Sequence, residues 1–178
     1  LLRMRSLLPL RKKFERPAIK ESIGRTHAAF FRSAMLSDES ALRAVPSASK
    51  SGQSSPGVAH QWHMAGHTFN KLKRYPDMAW QQEASVRVDN SQLMADRLLP
   101  DHIHNYAHNS EWLVQTYNYI GQVNRAVDLC VNMIEMPRHP GVNTLDKQTN
   151  GIAYEKRGTG SHGRRRLMET LLRWELWD

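Results

Sequence analysis

The chain has 178 residues, 40% of them apolar, with 25 Lys and Arg against 17 acids for a formal charge of +8. That length holds one domain with a real core, the single cysteine, Cys130, rules out an internal disulfide, and no run approaches the roughly eighteen apolar residues of a membrane-spanning helix. Eight Lys or Arg against two acids fall in the first 26 residues, so the other 152 carry only +2. A basic terminal patch without a reading motif is a weak nucleic-acid footprint, and nucleic acid is not the expected partner.

Residues 1–45 read as a basic segment, helical or disordered. "LLRMRSLLPLRKKF" is amphipathic, but Arg3, Arg5 and Pro9 break the apolar run that a secretory signal needs. Further on, Ala28, Phe31, Met35 and Leu36 recur at helical spacing, and Ser37-Asp38 offers an N-cap before Ala41 and Leu42. Residues 46–57, "PSASKSGQSSPG", are poor in apolar residues and read as a flexible linker. From Val58 to Asp178 helical segments alternate with short breaks, and no stretch sustains the alternation of a strand.

Within this region "GQVNRAVDLCVNMIEMP" places Val123, Ala126, Val127, Cys130, Met133 and Ile134 on one helical face, with Gly121 before it and Pro137 after it. Upstream, Leu113, Tyr117 and Ile120 form a matching stripe. Two such helices joined at a glycine predict an antiparallel hairpin.

Leu113, Tyr117, Gly121, Ala126 and Pro137 resemble the tetratricopeptide-repeat pattern of large, aromatic, glycine, small and proline residues. A degenerate copy lies over residues 69–89, with Phe69 in the place of Tyr117, Tyr75 in that of Val123, Lys73 at the glycine and Met78 at the small position. A half-copy closes the chain, with Leu167, Leu171 and Trp177 at the matching places. "WHMAGH", "YAHN" and "GRRRL" are similar to a subgroup of bacterial repeat proteins, some of which stand beside thioredoxin-like peroxidase domains. The resemblance covers residues 58–178 and implies an all-α solenoid of antiparallel helix–turn–helix repeats. The spacings of 48 and 54 residues depart from the family's 34, and the unpaired last helix suggests a fragment of a longer repeat protein.

Histidine is the unusual residue. His60, His63 and His67 form a stripe beside the core face of one helix, and His104 and His108 repeat the four-residue spacing on another. A two-helix metal site of His63, His67, His104 and His108 is conceivable, but no carboxylate is placed to orient it, and hydrogen bonding between helices or a partner-binding surface uses the same residues as well. The expected partner-binding set is His60, His63, His67, His104, Asn105, His108 and Trp112, with no metal and no cofactor. Cys130 sits mid-stripe and reads as an inert core thiol. The tryptophans read mainly as core, and "GSHGRRR" reads as a solvated face that could also hold an anion. No phosphate-cradling or nucleophile motif is present. The expected function is non-catalytic: a scaffold binding a peptide or protein in a groove. The alternative is a histidine-rich metal-binding or redox-associated protein, the repeat part of a longer enzyme.

Overall fold

A computed structural model describes residues 38–138 and 158–176, with the side chain of His104 excepted. The expectations for residues 1–37 and for Trp177 lie outside the described residues. The described part is helical, with no strand: α1 (Asp38–Ser54), α2 (Ala59–Lys71), α3 (Tyr75–Asp96), a single 3-10 turn at Pro100–His102, α4 (His104–Tyr119), α5 (Val123–Glu135) and α6 (Thr159–Trp174).

The first helix corrects the linker expectation. α1 continues through Pro46 to Ser54, so residues 46–54 are helical rather than flexible. Its buried side is Ala41, Ala44, Ala48, Ser51 and Gly52, a stripe of small residues at helical spacing that lets α2 approach closely. A Cβ on Gly52 would meet the Trp62 ring at 2.1 Å. Ser51 also donates to Gln61 Oε1 at 2.8 Å. Low hydrophobicity made this stretch look like a linker, whereas its small residues serve close packing.

Contacts between α2 and α3 run in reverse order along the two helices. The Ser85 hydroxyl donates to the Ala59 carbonyl, Gln82 meets His63, and Met78 packs with Phe69 and Ala65. The face of α3 turned to its neighbours buries Gln81, Gln82, Ser85 and Asp89 alongside Met78, Ala79 and Leu93, and several of these polar groups have partners, as burial demands. α3 ends at Asp96 with Arg97 in the left-handed region.

A second core joins Leu113, Val114 and Tyr117 of α4 to Ala126, Cys130 and Met133 of α5, with Leu167 of α6 against it. Of the expected stripes, Leu113, Tyr117, Ala126, Cys130 and Met133 lie in this core and Ile120 packs against it, while Val123, Val127 and Ile134 are half-buried. α6 crosses closely: a Cβ on Gly163 would lie 2.9 Å from the Cys130 carbonyl oxygen and 2.9 Å from Met133 Cβ. Asn118 ties α4 to α6 by donating to Thr170 Oγ1 at 2.8 Å and accepting from Trp174 Nε1 at 2.7 Å.

The turns after α2, α4 and α6 share one geometry, and the end of α3 has it too, with Arg97 at φ 52° and the Leu98 N–H returning to the Leu93 carbonyl. Lys73 (φ 56°), Gly121 (φ 73°) and Glu175 (φ 54°) are each left-handed. The next N–H in each turn returns to a carbonyl five residues back: Arg74 to Phe69, Gln122 to Tyr117 and Leu176 to Leu171. These positions carry the same phase as Tyr75, Val123 and Trp177 in the sequence. A left-handed C-terminal residue closes a helix by satisfying its last carbonyls; glycine does this freely, lysine and glutamate at some cost.

Candidate functional site: a histidine cluster between α2 and α4

Three helices build the site. Four-residue spacing puts His63 and His67 on one side of α2, and three- and four-residue spacing puts Glu111 and Trp112 beside His108 on α4. Gln82 reaches in from α3. The His63 and His108 ring centroids are 4.7 Å apart, so the two helices bring their histidines together. His67 meets the Trp112 edge at 4.4 Å, and His60 stacks on His63 at 5.9 Å.

Hydrogen bonds assign the tautomers. His63 is 1% exposed, and its Nδ1 lies 3.1 Å from Gln82 Oε1. An amide oxygen only accepts, so Nδ1 of His63 carries the proton and its Nε2 keeps a lone pair. His67 Nε2 stands 2.8 Å from His63 Nε2 and therefore donates to it. The remaining nitrogen of His67, Nδ1, is buried without a partner. His108 Nδ1 is 3.2 Å from Glu111 Oε1 and donates to that carboxylate, so its Nε2 is the nitrogen not engaged there. One ring nitrogen from each of His63, His67 and His108 lies within 4.8 Å of the other two; among the described residues this is the group able to share a metal ion.

His63 and His67 are neutral near pH 7. Burial, followed by the neighbouring His67 and His108, pushes His63 down to about 3. Burial, followed by His108 and His60, pushes His67 down to about 4. His60 is lowered by burial and by His108.

Glu111 is the hub joining this cluster to α6. It is 6% exposed, and besides His108 it accepts from His162 Nδ1 at 2.9 Å and from Arg165, with Arg166 Nε 3.4 Å away. Burial alone would raise its pKa; the hydrogen bonds from His108 and His162 and the charges of His162 and Arg166 outweigh that and hold it below the ordinary carboxylate range.

The expected partner-binding residues divide accordingly. His60 is exposed, while His67, His108, Trp112 and Asn105 are half-buried. His63 is buried, and the side chain of His104 lies outside the described residues; of the four histidines of the two-helix set, His63, His67 and His108 meet among the described residues. Arg165 and Arg166 of "GSHGRRR" engage the chain's own Glu111. Cys130 is fully buried, and burial pushes its thiol up to about 12, an inert setting.

Sequence reasoning missed Glu111 as an orienting carboxylate, although its position three residues after His108 on one helix was a usable signal. Gln82 and His162 carried no such signal, because only tertiary packing brings them in.

Neither a protein-family model, nor a curated protein, nor a solved structure matches the chain.

Proposed function

We propose that the protein is a non-catalytic helical-repeat scaffold, similar to tetratricopeptide repeats, that binds an acidic protein segment on the face built from α2, α4 and α6. On this reading α2–α3 and α4–α5 are antiparallel hairpins stacked in order, with α6 opening a third, and the reverse-order contacts between α2 and α3 and the core shared by α4 and α5 support the repeat. α2, α4 and α6 then form one layer and α3 and α5 the other.

Charge segregation carries the partner chemistry. α2, α4 and α6 hold five Lys or Arg (Lys71, Arg164, Arg165, Arg166, Arg173) against two acids, Glu111 and Glu169, plus six of the nine histidines. Both acids are already paired to arginines. α3 and α5 hold six acids against Arg87 and Arg125. One layer therefore carries an excess of cations, the other an excess of carboxylates, and complementary potential selects a partner's charge and docking side. The acidic layer also disfavours wrapping by a polyanion, which favours a short acidic segment over nucleic acid.

The test is amide chemical-shift mapping of the isotope-labelled chain titrated with a panel of acidic, neutral and basic peptides. The expected result is saturable shifts on α2, α4 and α6 with acidic peptides only. Shifts on α3 and α5, or binding of a nucleic-acid duplex without any acidic peptide, would overturn the proposal.

A further inference from the structure

We infer that His63, His67 and His108 form a binding site for one divalent transition-metal ion of the zinc class, with a fourth coordination position left for water. This goes beyond the scaffold reading and rests on different observations.

The donor set suits that class: imidazole nitrogens favour zinc, copper and nickel over calcium or magnesium. Zinc holds histidine nitrogens at about 2.0–2.1 Å, so tetrahedral partners stand about 3.3 Å apart. The three nitrogens all lie within 4.8 Å, and His63 and His67 approach to 2.8 Å. Small ring rotations, opening one edge and closing the others, bring them to coordination distance. No backbone movement is needed, because four-residue spacing on α2 fixes two ligands and packing of α4 supplies the third.

The surroundings are those of a metal ligand set. A ligating histidine usually donates its other N–H to a carbonyl or carboxylate, which fixes the ring and its tautomer. Gln82 Oε1 does this for His63 and Glu111 Oε1 for His108, and both contacts engage Nδ1, which leaves Nε2 to ligate. His67 has a buried Nδ1 with nothing to receive, and it can ligate through either nitrogen. Half-exposed His108, with 42% side-chain exposure, leaves the site open to solvent. Three histidines with an open position are the ligand count of exchangeable rather than closed structural zinc sites.

The experiment uses the full chain purified without a histidine tag, stripped with chelator and refilled with zinc sulfate. Elemental analysis reads stoichiometry, competition with a colorimetric chelator reads affinity, and cobalt substitution reads coordination through its visible bands. The expected result is one zinc per chain and a four-coordinate cobalt spectrum. His108→Ala and His67→Gln, each checked for unchanged helical circular dichroism, should lose at least tenfold in affinity. Glu111→Gln should weaken binding by about 10- to 100-fold while leaving all three ligands in place. A stripped protein that takes up no stoichiometric zinc would overturn the assignment, as would folded His108→Ala and His67→Gln proteins that bind as tightly as the parent.

Discussion

His63 and His67 are buried imidazoles whose neutrality has a thermodynamic consequence. Their pKa values fall from 6.5 in the unfolded chain to about 3 and about 4 in the fold. The unfolded state therefore binds more protons between those limits, and stability rises with pH across that window. Their contribution is fully present above about 6.5 and is lost as pH falls towards 4 and then 3. Urea midpoints of the metal-free chain should drop on acidification below 6.5, and His67→Gln should flatten that slope. Identical pH profiles for the two proteins would contradict the placement of His67. Gly163 is a residue-scale test of packing: Ala there pushes against the Cys130 carbonyl and Met133 Cβ at 2.9 Å. Overpacking of this kind should cost about 1–3 kcal/mol in chemical denaturation, and an unchanged midpoint would mean that α6 sits farther from α5.

Among the elements, the helix-terminal turns and the α4–α6 contact give separate tests. Lys73 occupies the conformation that Gly121 occupies in the equivalent turn, so Lys73→Gly should stabilise by about 0.5–1 kcal/mol and Gly121→Ala should destabilise by a similar amount. Opposite signs at these two positions are the signature of the shared turn. Asn118→Ala removes the acceptor of Trp174 and the donor to Thr170. Losing both hydrogen bonds should cost about 0.5–1.5 kcal/mol, with a shift of the Trp174 indole N–H signal. The turn phase was legible in the sequence because a terminal glycine and its flanking aromatic stand out. The stripes of α4 and α5 were legible because large apolar residues recur at helical period. α1 was not, because Ala, Ser and Gly bury well against a tryptophan yet score as linker. The histidine meeting was legible only as a possibility: spacing put His63 with His67 and His104 with His108, but whether the helices face each other is a tertiary fact. Glu111 was readable as a partner of His108 three residues away, but not as a hub, because His162, Arg165 and Arg166 lie more than fifty residues away.

At the scale of the molecule, the proposed two-layer arrangement separates charge that the sequence interleaves. A net charge of +8 concentrated in the first 26 residues says little about the helical body; the assignment of acids to α3 and α5 and of cations to α2, α4 and α6 says more. Steering by such a face weakens with salt, since exposed charges are screened beyond about 8 Å at physiological ionic strength. The most direct measurement compares paired charge reversals on the two layers in a fluorescence-anisotropy titration with one acidic peptide. Arg164→Glu with Arg165→Glu should weaken binding about tenfold, about 1.4 kcal/mol, while Asp77→Lys with Glu135→Lys should leave it within about twofold. Loss of affinity in the second protein with the first unaffected would contradict the account.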